Sequence, residues 1–396
     1  MLDLTEISVI VPAYNVEKYI GECLDSLINQ TFGDIEIICV NDGSTDSTLD
    51  ILNEYASRDS RIRVISQKNM GVSAARNRAM ECISGKYTYF MDSDDVLDVN
   101  ALNELYEIIE DKQVDFVLFK IINFDNETGK KERNPYYDMK YLKEIVGEDI
   151  FSHNDLPEDI VFKIAVTPSS KLYRSALIEN IRFPEGLIFE DNAFFIETFL
   201  NAERIYFHNS YLLNKRLRDE SITHNPNESF IDFIAISEIL IDLTRKYGLY
   251  EQYKEGLFVK IIRNTYLRFS QVPTDIKGEF FTKIKDYFTS KKDELDGDED
   301  FQNGNERIRK IFYSAIESQN YREFELTVKC FDLNKTLEKR ENKINFQTSK
   351  IRELSVENKK LAEENERLNN LNSQMMESAS WKITKPMRKV KNKVKK

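Results

Sequence analysis

Residues 87–95, YTYFMDSDD, constrain this chain more than any other stretch, because a strand-forming run is followed at once by three aspartates. Aromatic and β-branched side chains dominate the run, which predicts a buried strand. Carboxylates that follow such a strand lie where open α/β sheets bind ligands. Asp92 and Asp94, on either side of Ser93, can present two hard oxygen ligands to one Mg²⁺ or Mn²⁺ that also holds phosphates. The alternative is that these aspartates cap the next helix.

The first part of the chain alternates between apolar runs of strand length and segments with helical periodicity. The pattern predicts strands at residues 7–11, 35–40, 62–65, 87–91 and 114–119, and helices at residues 19–28, 49–56, 72–82 and 102–109. Such strict alternation favours an α/β fold with a doubly wound, mostly parallel sheet. The loops at the carboxyl ends of its strands then form one active edge.

The loops that follow the predicted strands are polar and suited to binding a nucleotide. Three of them are Pro12-Ala13-Tyr14-Asn15, Asn41-Asp42-Gly43-Ser44 and Asp92-Ser93-Asp94-Asp95. A fourth, residues 69–77, places Arg76 one turn into a helix near the same edge. The chain has no G-x-G-x-x-G after its first strand and no G-x-x-x-x-G-K. These absences disfavour dinucleotide oxidoreductases and P-loop enzymes.

Four strings in these loops carry a resemblance to a known family. SVIVPAYN, VNDGSTDST, NMGVSAARN and FMDSDD, in this order and spacing, resemble the nucleotide-binding half of the family 2 glycosyltransferases, which have the GT-A fold. The resemblance continues through KLYR, RFPEGLIFEDNAFF and KRLRDESIT and covers about residues 5–225. It implies a metal-dependent hexosyltransferase that uses a UDP-sugar to extend a cell-surface glycan or a lipid-linked acceptor.

The resemblance assigns most of the matched residues to the donor. Asp42 would accept a hydrogen bond from the uracil N3–H, with the turn at residues 12–15 beside the base. Otherwise Asp42 belongs to an ordinary Asp-Gly turn. Arg76 would contact the donor, or would instead pair with a structural carboxylate. The other donor residues are Asn69, Asp92, Ser93, Arg216, Arg218 and Ser221, of which the arginines suit a diphosphate through their forked donors.

The metal ion implied by the resemblance is Mn²⁺ or Mg²⁺. Asp94 would bind it where it bridges the diphosphate and neutralises the leaving group. Asp92 would contact either the ribose or the metal, and His224 would complete the metal shell. The alternative for the segment that contains Arg216, Arg218 and Ser221 is a solvated run of charges in a loop.

Glu190 and Asp191 open a predicted helix that covers residues 192–202. Two acids at a helix start are favoured by the helix dipole, which is a sufficient structural explanation. In the family, however, Asp191 matches the general base that takes the proton of the acceptor hydroxyl. A single displacement with inversion follows, and Glu190 would orient the base or the acceptor.

After the glycosyltransferase domain at residues 1–227, the pattern predicts a helical domain at 228–334, a coiled coil at 335–378 and a basic tail at 379–396. In the coiled coil, leucine occupies the d positions Leu354, Leu361 and Leu368, and asparagine occupies the later a positions, a pattern typical of a parallel two-stranded dimer in which asparagine fixes the register. A lone solvated helix is the alternative.

The tail carries eight basic residues and no acid after Trp381, although the net charge of the whole chain is −12. It resembles an interfacial anchor for an anionic membrane surface, the alternative being a disordered basic tail. The acidic remainder disfavours nucleic acid as a partner. No apolar run approaches the ~20 residues of a membrane span, the N-terminus resembles no signal peptide, and the four cysteines are scattered. We therefore expect a cytoplasmic protein, peripheral on the inner membrane face.

Two rival functions are compatible with parts of the sequence. A sugar-nucleotide nucleotidyltransferase of the same fold needs a glycine-rich, basic loop after the first strand, which residues 12–15 do not supply. A catalytically silent scaffold would need only the coiled coil. The joint presence of Asp94, Asp191 and Arg216 favours the transferase.

Overall fold

The computed structural model describes residues 5–218, 226–380 and 382–384. Its strands are β1 (Ile7–Ala13), β2 (Ile35–Asp42), β3 (Ile62–Gln67), β4 (Tyr87–Phe90), β5 (Val96–Leu97), β6 (Phe116–Asp125), β7 (Lys131–Arg133), β8 (Lys171–Arg174) and β9 (Ile205–Leu217). The helices up to α9 are α1 (Ile20–Ile28), α2 (Thr48–Arg58), α3 (Val72–Met80), α4 (Ala101–Lys112), α5 (Pro135–Asp138), α6 (Lys140–Val146), α7 (Glu158–Val161), α8 (Ser175–Ile178) and α9 (Glu190–Asn201). They are followed by α10 (Phe233–Lys246), α11 (Tyr250–Gln271), α12 (Lys277–Ser290), α13 (Lys292–Asp296), α14 (Glu299–Asn303), α15 (Glu306–Glu317) and α16 (Tyr321–Glu377).

The strands form one mixed sheet in the order β3-β2-β1-β4-β8-β6-β9-β5, with β7 paired to β6. The ladders of β1 with β2 and β4, of β2 with β3 and of β6 with β9 are parallel. This confirms an α/β fold with a sheet rich in parallel pairs. The predicted strands and helices of the first part of the chain are all present, and β6 runs further than expected, to Asp125.

The strict alternation of strands and helices predicted from the sequence does not hold at the centre of the sheet. Strand β8 lies between β4 and β6 and is antiparallel to both. The segment between β6 and β8 is not a single crossover helix but a hairpin strand and several one-turn or two-turn helices. Only a parallel connection needs a full crossover, so this segment is able to return the chain in the opposite direction.

Helices cover both faces of the sheet. Because neighbouring residues of a strand point to opposite faces, Tyr89 and Phe90 of β4 mark the two cores. Tyr89 lies in the cluster that includes side chains of α1, α2 and α4. Phe90 contacts Phe183 and Phe194, with ring centroids 5.4 and 5.5 Å apart, so α9 lies on the other face. The start of α9 thereby approaches the edge where β4 ends.

The helical region joins the sheet region through close contacts, of α10 with α9 and of α11 with α7. A Cβ added at Gly256 of α11 would lie 3.1 Å from the ring of Phe162 and 3.2 Å from the carbonyl oxygen of Glu158. Glycine at this position therefore allows α11 to approach α7 closely. Residues up to Glu325 form one compact unit.

The second unit, Leu326–Lys396, contains most of α16, which is a continuous helix of 57 residues. Its heptad side chains are exposed, for example Leu337, Ile351, Leu361 and Met375. Within the described ranges no helix is both long enough and apolar enough to cross a membrane.

Candidate active site

Two loops at the carboxyl edge of the sheet are tied together by hydrogen bonds. The backbone N–H of Asn15 donates to Ser44 Oγ at 3.1 Å, and the N–H of Thr45 donates to Asn15 Oδ1 at 2.8 Å. Pro12 and Ala13 are the buried end of β1, whereas the side chain of Tyr14 is exposed. The predicted turn at residues 12–15 therefore presents Tyr14 at the edge.

Asp42, at the end of β2, organises the loop that begins at Asn69 and leads into α3. Its buried carboxylate accepts hydrogen bonds from Gln67 Nε2 and from the backbone N–H groups of Met70 and Gly71, at 2.8 to 2.9 Å. A Cβ on Gly43, which has a φ of 71°, would lie 2.7 Å from the backbone N of Asn69. A carboxylate has about four lone-pair sites, so one remains for a ligand. The loop of Asp42 and Gly43 thus lies against the loop that begins at Asn69.

Arg76 connects two acidic segments that are far apart in sequence. Its guanidinium donates to Asp92 Oδ1 at 2.9 Å and to Glu190 Oε1 at 2.7 Å, and lies 5.1 Å from the ring centroid of Phe183. Burial opposes its charge, but the nearby carboxylates outweigh burial and raise the pKa of Arg76. In this structure Arg76 therefore pairs with two of the predicted site carboxylates. It brings the loop after β4 against the start of α9.

The acidic loop after β4 is held by cations on both sides. Asp94 Oδ2 lies 2.7 Å from Arg218 Nε, and Lys215 Nζ lies 3.6 Å from both Asp92 and Asp95. Asp92 is half-buried, which works against its charge, but Lys215 and Arg76 lower its pKa. Asp95 is fully buried, and burial raises its pKa to about 7, with Asp94 and Asp92 adding to the rise and Lys215 opposing it. Ser93 is buried between the aspartates.

Arg216 holds the acidic loop through hydrogen bonds of its backbone and its side chain. Its Nε donates to the carbonyl oxygen of Asp94 at 2.8 Å, and its backbone N–H donates to Asp95 Oδ1 at 2.9 Å. Its two terminal nitrogens donate to Asn126 and to Glu22. A direct contact between Arg216 and a phosphate would require one of these bonds to be exchanged. Ser221 and His224, the other members of the predicted segment, lie outside the described residues.

Glu190 and Asp191 begin α9, as predicted, and differ in their partners. Glu190 is bound to Arg76, whereas Asp191 Oδ1 accepts one hydrogen bond, from Asn192 Nδ2 at 3.0 Å. Burial raises the pKa of Asp191 above its ordinary value, and Arg76, Lys260 and Lys171 limit the rise. A carboxylate with few partners and a raised pKa is suited to accepting a proton.

The sequence analysis missed two lysines beside the predicted residues. Lys215 directly precedes Arg216, and its place within the KRLR run was the available signal. Lys260 lies on α11, whose residues Leu257, Phe258 and Ile261 are buried. A charge inside a buried apolar stripe was the signal there, because lysine is almost never fully buried unless it is paired.

The described residues contain no group of three or more histidine, cysteine, aspartate or glutamate side chains arranged to hold a metal ion. Asp92 and Asp94 nevertheless lie on one turn, as predicted. An ion bound there would need further oxygen ligands from elsewhere, such as a substrate.

The chain is similar to known proteins in sequence and in fold. Residues 8–165 match the family model described as "Glycosyl transferase family 2". Glycosyltransferase GlyA of Streptococcus pneumoniae is 36% identical over 240 residues, which are 60% of this chain and 34% of that protein. Uncharacterized glycosyltransferase EpsJ of Bacillus subtilis is 34% identical over 267 residues, which are 65% of this chain and 75% of that protein. The chain thus spans one third of the first relative and three quarters of the second.

Among solved structures, the crystal structure of S. aureus TarS 1-349 in complex with UDP is similar in fold, with a TM-score of 0.64. The alignment covers 83% of this chain and 92% of that chain at 22% identity. A second crystal structure of the same TarS fragment contains UDP-GlcNAc. At this level of identity the likeness shows a shared fold.

Proposed function

Because the chain belongs to glycosyl transferase family 2, we propose that it transfers a hexosyl group from a UDP-sugar to a hydroxyl of a cell-surface glycan or lipid-linked acceptor. The observation that carries the proposal is the double contact of Arg76 with Asp92 and Glu190. It joins the acidic loop that matches the family's donor site to the residue beside the predicted base. The complexes of TarS with UDP and UDP-GlcNAc support a uridine nucleotide as the donor.

In this mechanism Asp191 accepts the proton of the acceptor hydroxyl as the hydroxyl oxygen attacks the anomeric carbon. The bond between that carbon and the diphosphate oxygen breaks on the opposite face, which gives inversion. Glu190 is committed to Arg76, so it positions the start of α9 and leaves proton transfer to Asp191. No covalent intermediate with a second carboxylate is needed.

Donor binding would use the loops at the carboxyl edge. We propose that the remaining acceptor site of Asp42 receives the uracil N3–H, with Tyr14 beside the base and Asn69 nearby. Arg218 would reach the diphosphate, since its guanidinium already lies at Asp94. Arg76 and Arg216 would chiefly hold the acidic loop in shape. We propose that Ser221, like Arg218, contacts the donor.

A divalent ion fits the donor set of this loop. Asp92 and Asp94 offer hard carboxylate oxygens on one turn, and Mg²⁺ is commonly held by one or two carboxylates together with substrate phosphates. We propose that these two residues hold Mn²⁺ or Mg²⁺, with His224 as a further ligand. When bound, the ion neutralises the charge that develops on the departing diphosphate.

The proposed activity is tested with a panel of UDP-sugars. Binding to the native state raises its melting temperature, so a thermal screen identifies the donor. Turnover of that donor is then measured with Mn²⁺ and with EDTA. UDP release that requires both a sugar nucleotide and the metal supports the proposal. No turnover with any donor would favour the scaffold, and release of pyrophosphate from UTP and a sugar phosphate would favour the nucleotidyltransferase.

We also propose that residues 335–378 form a parallel coiled coil and make the protein a homodimer. The support is the exposed heptad stripe of a long helix, since exposed apolar stripes of this kind mark interaction sites. Replacing both Leu354 and Leu361 by Glu should give a monomer in sedimentation equilibrium. Val356→Glu, on the same helix but outside the a and d positions, is the matched control. A monomeric wild-type chain, or a dimer that survives the double replacement, would contradict the proposal.

Peripheral binding of the tail to an anionic membrane remains a proposal from the sequence. Trp381 and residues 385–396 lie outside the described residues. Flotation of the protein with anionic and neutral liposomes, with and without residues 379–396, tests it. Equal flotation in all combinations would refute it.

A further inference from the structure

The buried cations of the described residues are matched by acceptors, with one exception. Arg76 and Arg216 bind carboxylates, Lys120 lies 2.9 Å from Asp138, and Lys277 lies 2.8 Å from Glu325. The exception is Lys260, whose residue is 5% exposed. Among the described residues Lys260 forms no ion pair with a carboxylate, although Asp191 interacts with it electrostatically. Its only hydrogen bond there is a long one of 3.5 Å to the carbonyl oxygen of Phe162.

Lys171 provides the direct comparison, because it is buried as deeply and is also close enough to Asp191 to interact electrostatically. Its ammonium group donates to the carbonyl oxygens of Ala165 and Thr167 and to Ser170 Oγ, at 2.7 to 2.9 Å. It also lies 4.7 Å from the ring centroid of Phe195. Lys171 is therefore a satisfied structural lysine, and Lys260 is not.

Two arginines accompany Lys260 on α11. Arg263 is exposed, and Arg268 lies with its guanidinium 4.4 Å from the ring centroid of Phe189. Phe189 immediately precedes the helix start that carries Asp191. Arg268 Nε is buried without a hydrogen-bond partner, whereas another nitrogen of its guanidinium donates to Gln271 Oε1 at 3.3 Å. In the described part of the chain neither arginine forms an ion pair with a carboxylate. Arg268 thus holds an unused donor beside the proposed base.

The cations on α11 and Asp191 influence one another without touching. Burial lowers the pKa of Lys260 to about 8, and it lowers the pKa of Arg268; the carboxylate of Asp191 opposes both shifts. The hydroxyl of Tyr136 belongs to the same cluster, since it interacts electrostatically with Asp191, Arg263 and Arg268. Asp191 is therefore near the cations, but it does not neutralise any of them by contact.

We propose that Lys260, Arg263 and Arg268 form a phosphate-binding subsite on the acceptor side of Asp191, so that the acceptor carries a phosphate group near the hydroxyl that is glycosylated. This proposal rests on the proposed function, in which Asp191 is the base for the acceptor. A phosphate supplies oxygens in several directions, which suits one ammonium and two forked guanidinium groups. It would also supply the anion that the buried Lys260 lacks.

The test measures the binding of small probes to the full-length protein. Ligand-observed NMR at saturating UDP gives the affinity of each probe. The probes are glycerol 3-phosphate, glycerol and glycerate, which share a three-carbon frame and differ in their anionic group. We expect glycerol 3-phosphate to bind with at least about tenfold higher affinity than the other two. Lys260→Met and Arg268→Gln should each weaken it about tenfold, the loss expected for one charge-assisted hydrogen bond. Lys310→Gln, on α15 and outside the cluster, makes the same charge change and should have no effect.

The outcomes separate this proposal from the proposed function. Equal binding of glycerol 3-phosphate and glycerol, or of glycerol 3-phosphate and glycerate, overturns a phosphate subsite. Phosphate binding that survives both variants overturns the residue assignment. Variants that lose UDP affinity in parallel would place the cluster in the donor site. None of these readouts needs turnover, so a failure of the proposed transferase activity would be seen separately, in the panel of UDP-sugars.

Discussion

The two sides of the candidate active site differ in how their cations are held. On the donor side, Arg76, Arg216 and Arg218 each lie against carboxylates of the protein. On the α11 side, Lys260 and Arg268 are buried or half-buried, and within the described residues they have no carboxylate partner. The donor side is therefore neutralised in advance by the protein, whereas the α11 side keeps positive charge for a ligand.

This difference predicts opposite responses to mutation. Removing one partner of a buried ion pair leaves the other charge buried and uncompensated, which costs about 3–5 kcal/mol. Removing a buried charge that has no partner relieves the cost of its desolvation. The donor side should therefore lose stability on substitution, and the α11 side should lose binding while the fold becomes more stable.

The largest expected effect on stability is that of Arg76→Met. It leaves Glu190 buried and Asp92 half-buried without their shared cation, so the free energy of unfolding should fall by about 3–5 kcal/mol. Arg78→Met on the same helix is the matched control, because Arg78 is exposed and pairs with Glu81, which is also exposed. It should change stability by no more than about 0.5 kcal/mol. Urea unfolding measures both, and equal effects of the two variants would break the comparison.

The next effect is on catalysis, at the boundary between the two sides. Asp191→Asn removes the proposed base and keeps the size of the side chain, so turnover should fall by on the order of a hundredfold or more. UDP affinity should stay unchanged, since the donor loops are intact. Asp50→Asn, at an exposed position of α2, controls for the loss of one negative charge. Near-normal turnover by the Asp191 variant would refute the assignment.

The donor side was largely predictable because its information is local in sequence. The DSDD loop, the Asp42 turn and the Glu190-Asp191 helix start each combine strand or helix signals with the residues to which we assign the chemistry in our proposal. Parallel pairing then brings the ends of β1, β2 and β4 to one edge, as the general rule for such sheets requires. What the sequence left open was the partner of Arg76, since Glu190 is 114 residues away.

The α11 side could not be predicted, because the information that defines it is not local in sequence. Lys260, Arg263 and Arg268 belong to an amphipathic helix with no motif, and their significance depends on which element covers them. The approach of α11 to α7 at Gly256 and the position of Phe189 under Arg268 are tertiary facts. Likewise, the insertion of β8 between β4 and β6 depends on pairing that periodicity does not encode.

A pair of lysine variants, with a smaller expected effect on stability, tests the same comparison further. Lys171→Met removes a donor from three buried acceptors and should lower the free energy of unfolding by about 1–3 kcal/mol. Lys260→Met removes a buried charge that has one long hydrogen bond, and should raise it by on the order of 1–2 kcal/mol at pH 7. Both substitutions keep an unbranched side chain of similar length. Melting curves of the two variants check the signs, and a destabilised Lys260 variant would show that this lysine is structural.

The smallest expected effect is the pH dependence of the Lys260→Met difference. The pKa of Lys260 is lowered to about 8 in the fold, from an ordinary value of 10.5, mainly by burial, while Asp191 opposes the shift and Arg263 and Arg268 add to it. Below pH 8 the lysine is charged in both the folded and unfolded states, so the cost of burying the charge is fully present. Between about pH 8 and 10.5 the unfolded chain binds more protons at this group, so the wild type gains stability relative to the variant.

The advantage of Lys260→Met should therefore be largest near pH 7 and should fade as the pH approaches 10.5. Other groups titrate in this range, but they are common to both proteins and largely cancel in the difference. Urea unfolding of wild type and variant at pH 7, 8.5 and 10 measures it. A stability difference that does not change with pH would mean that methionine acts through packing alone, and that Lys260 does not bury a charge awaiting an anion.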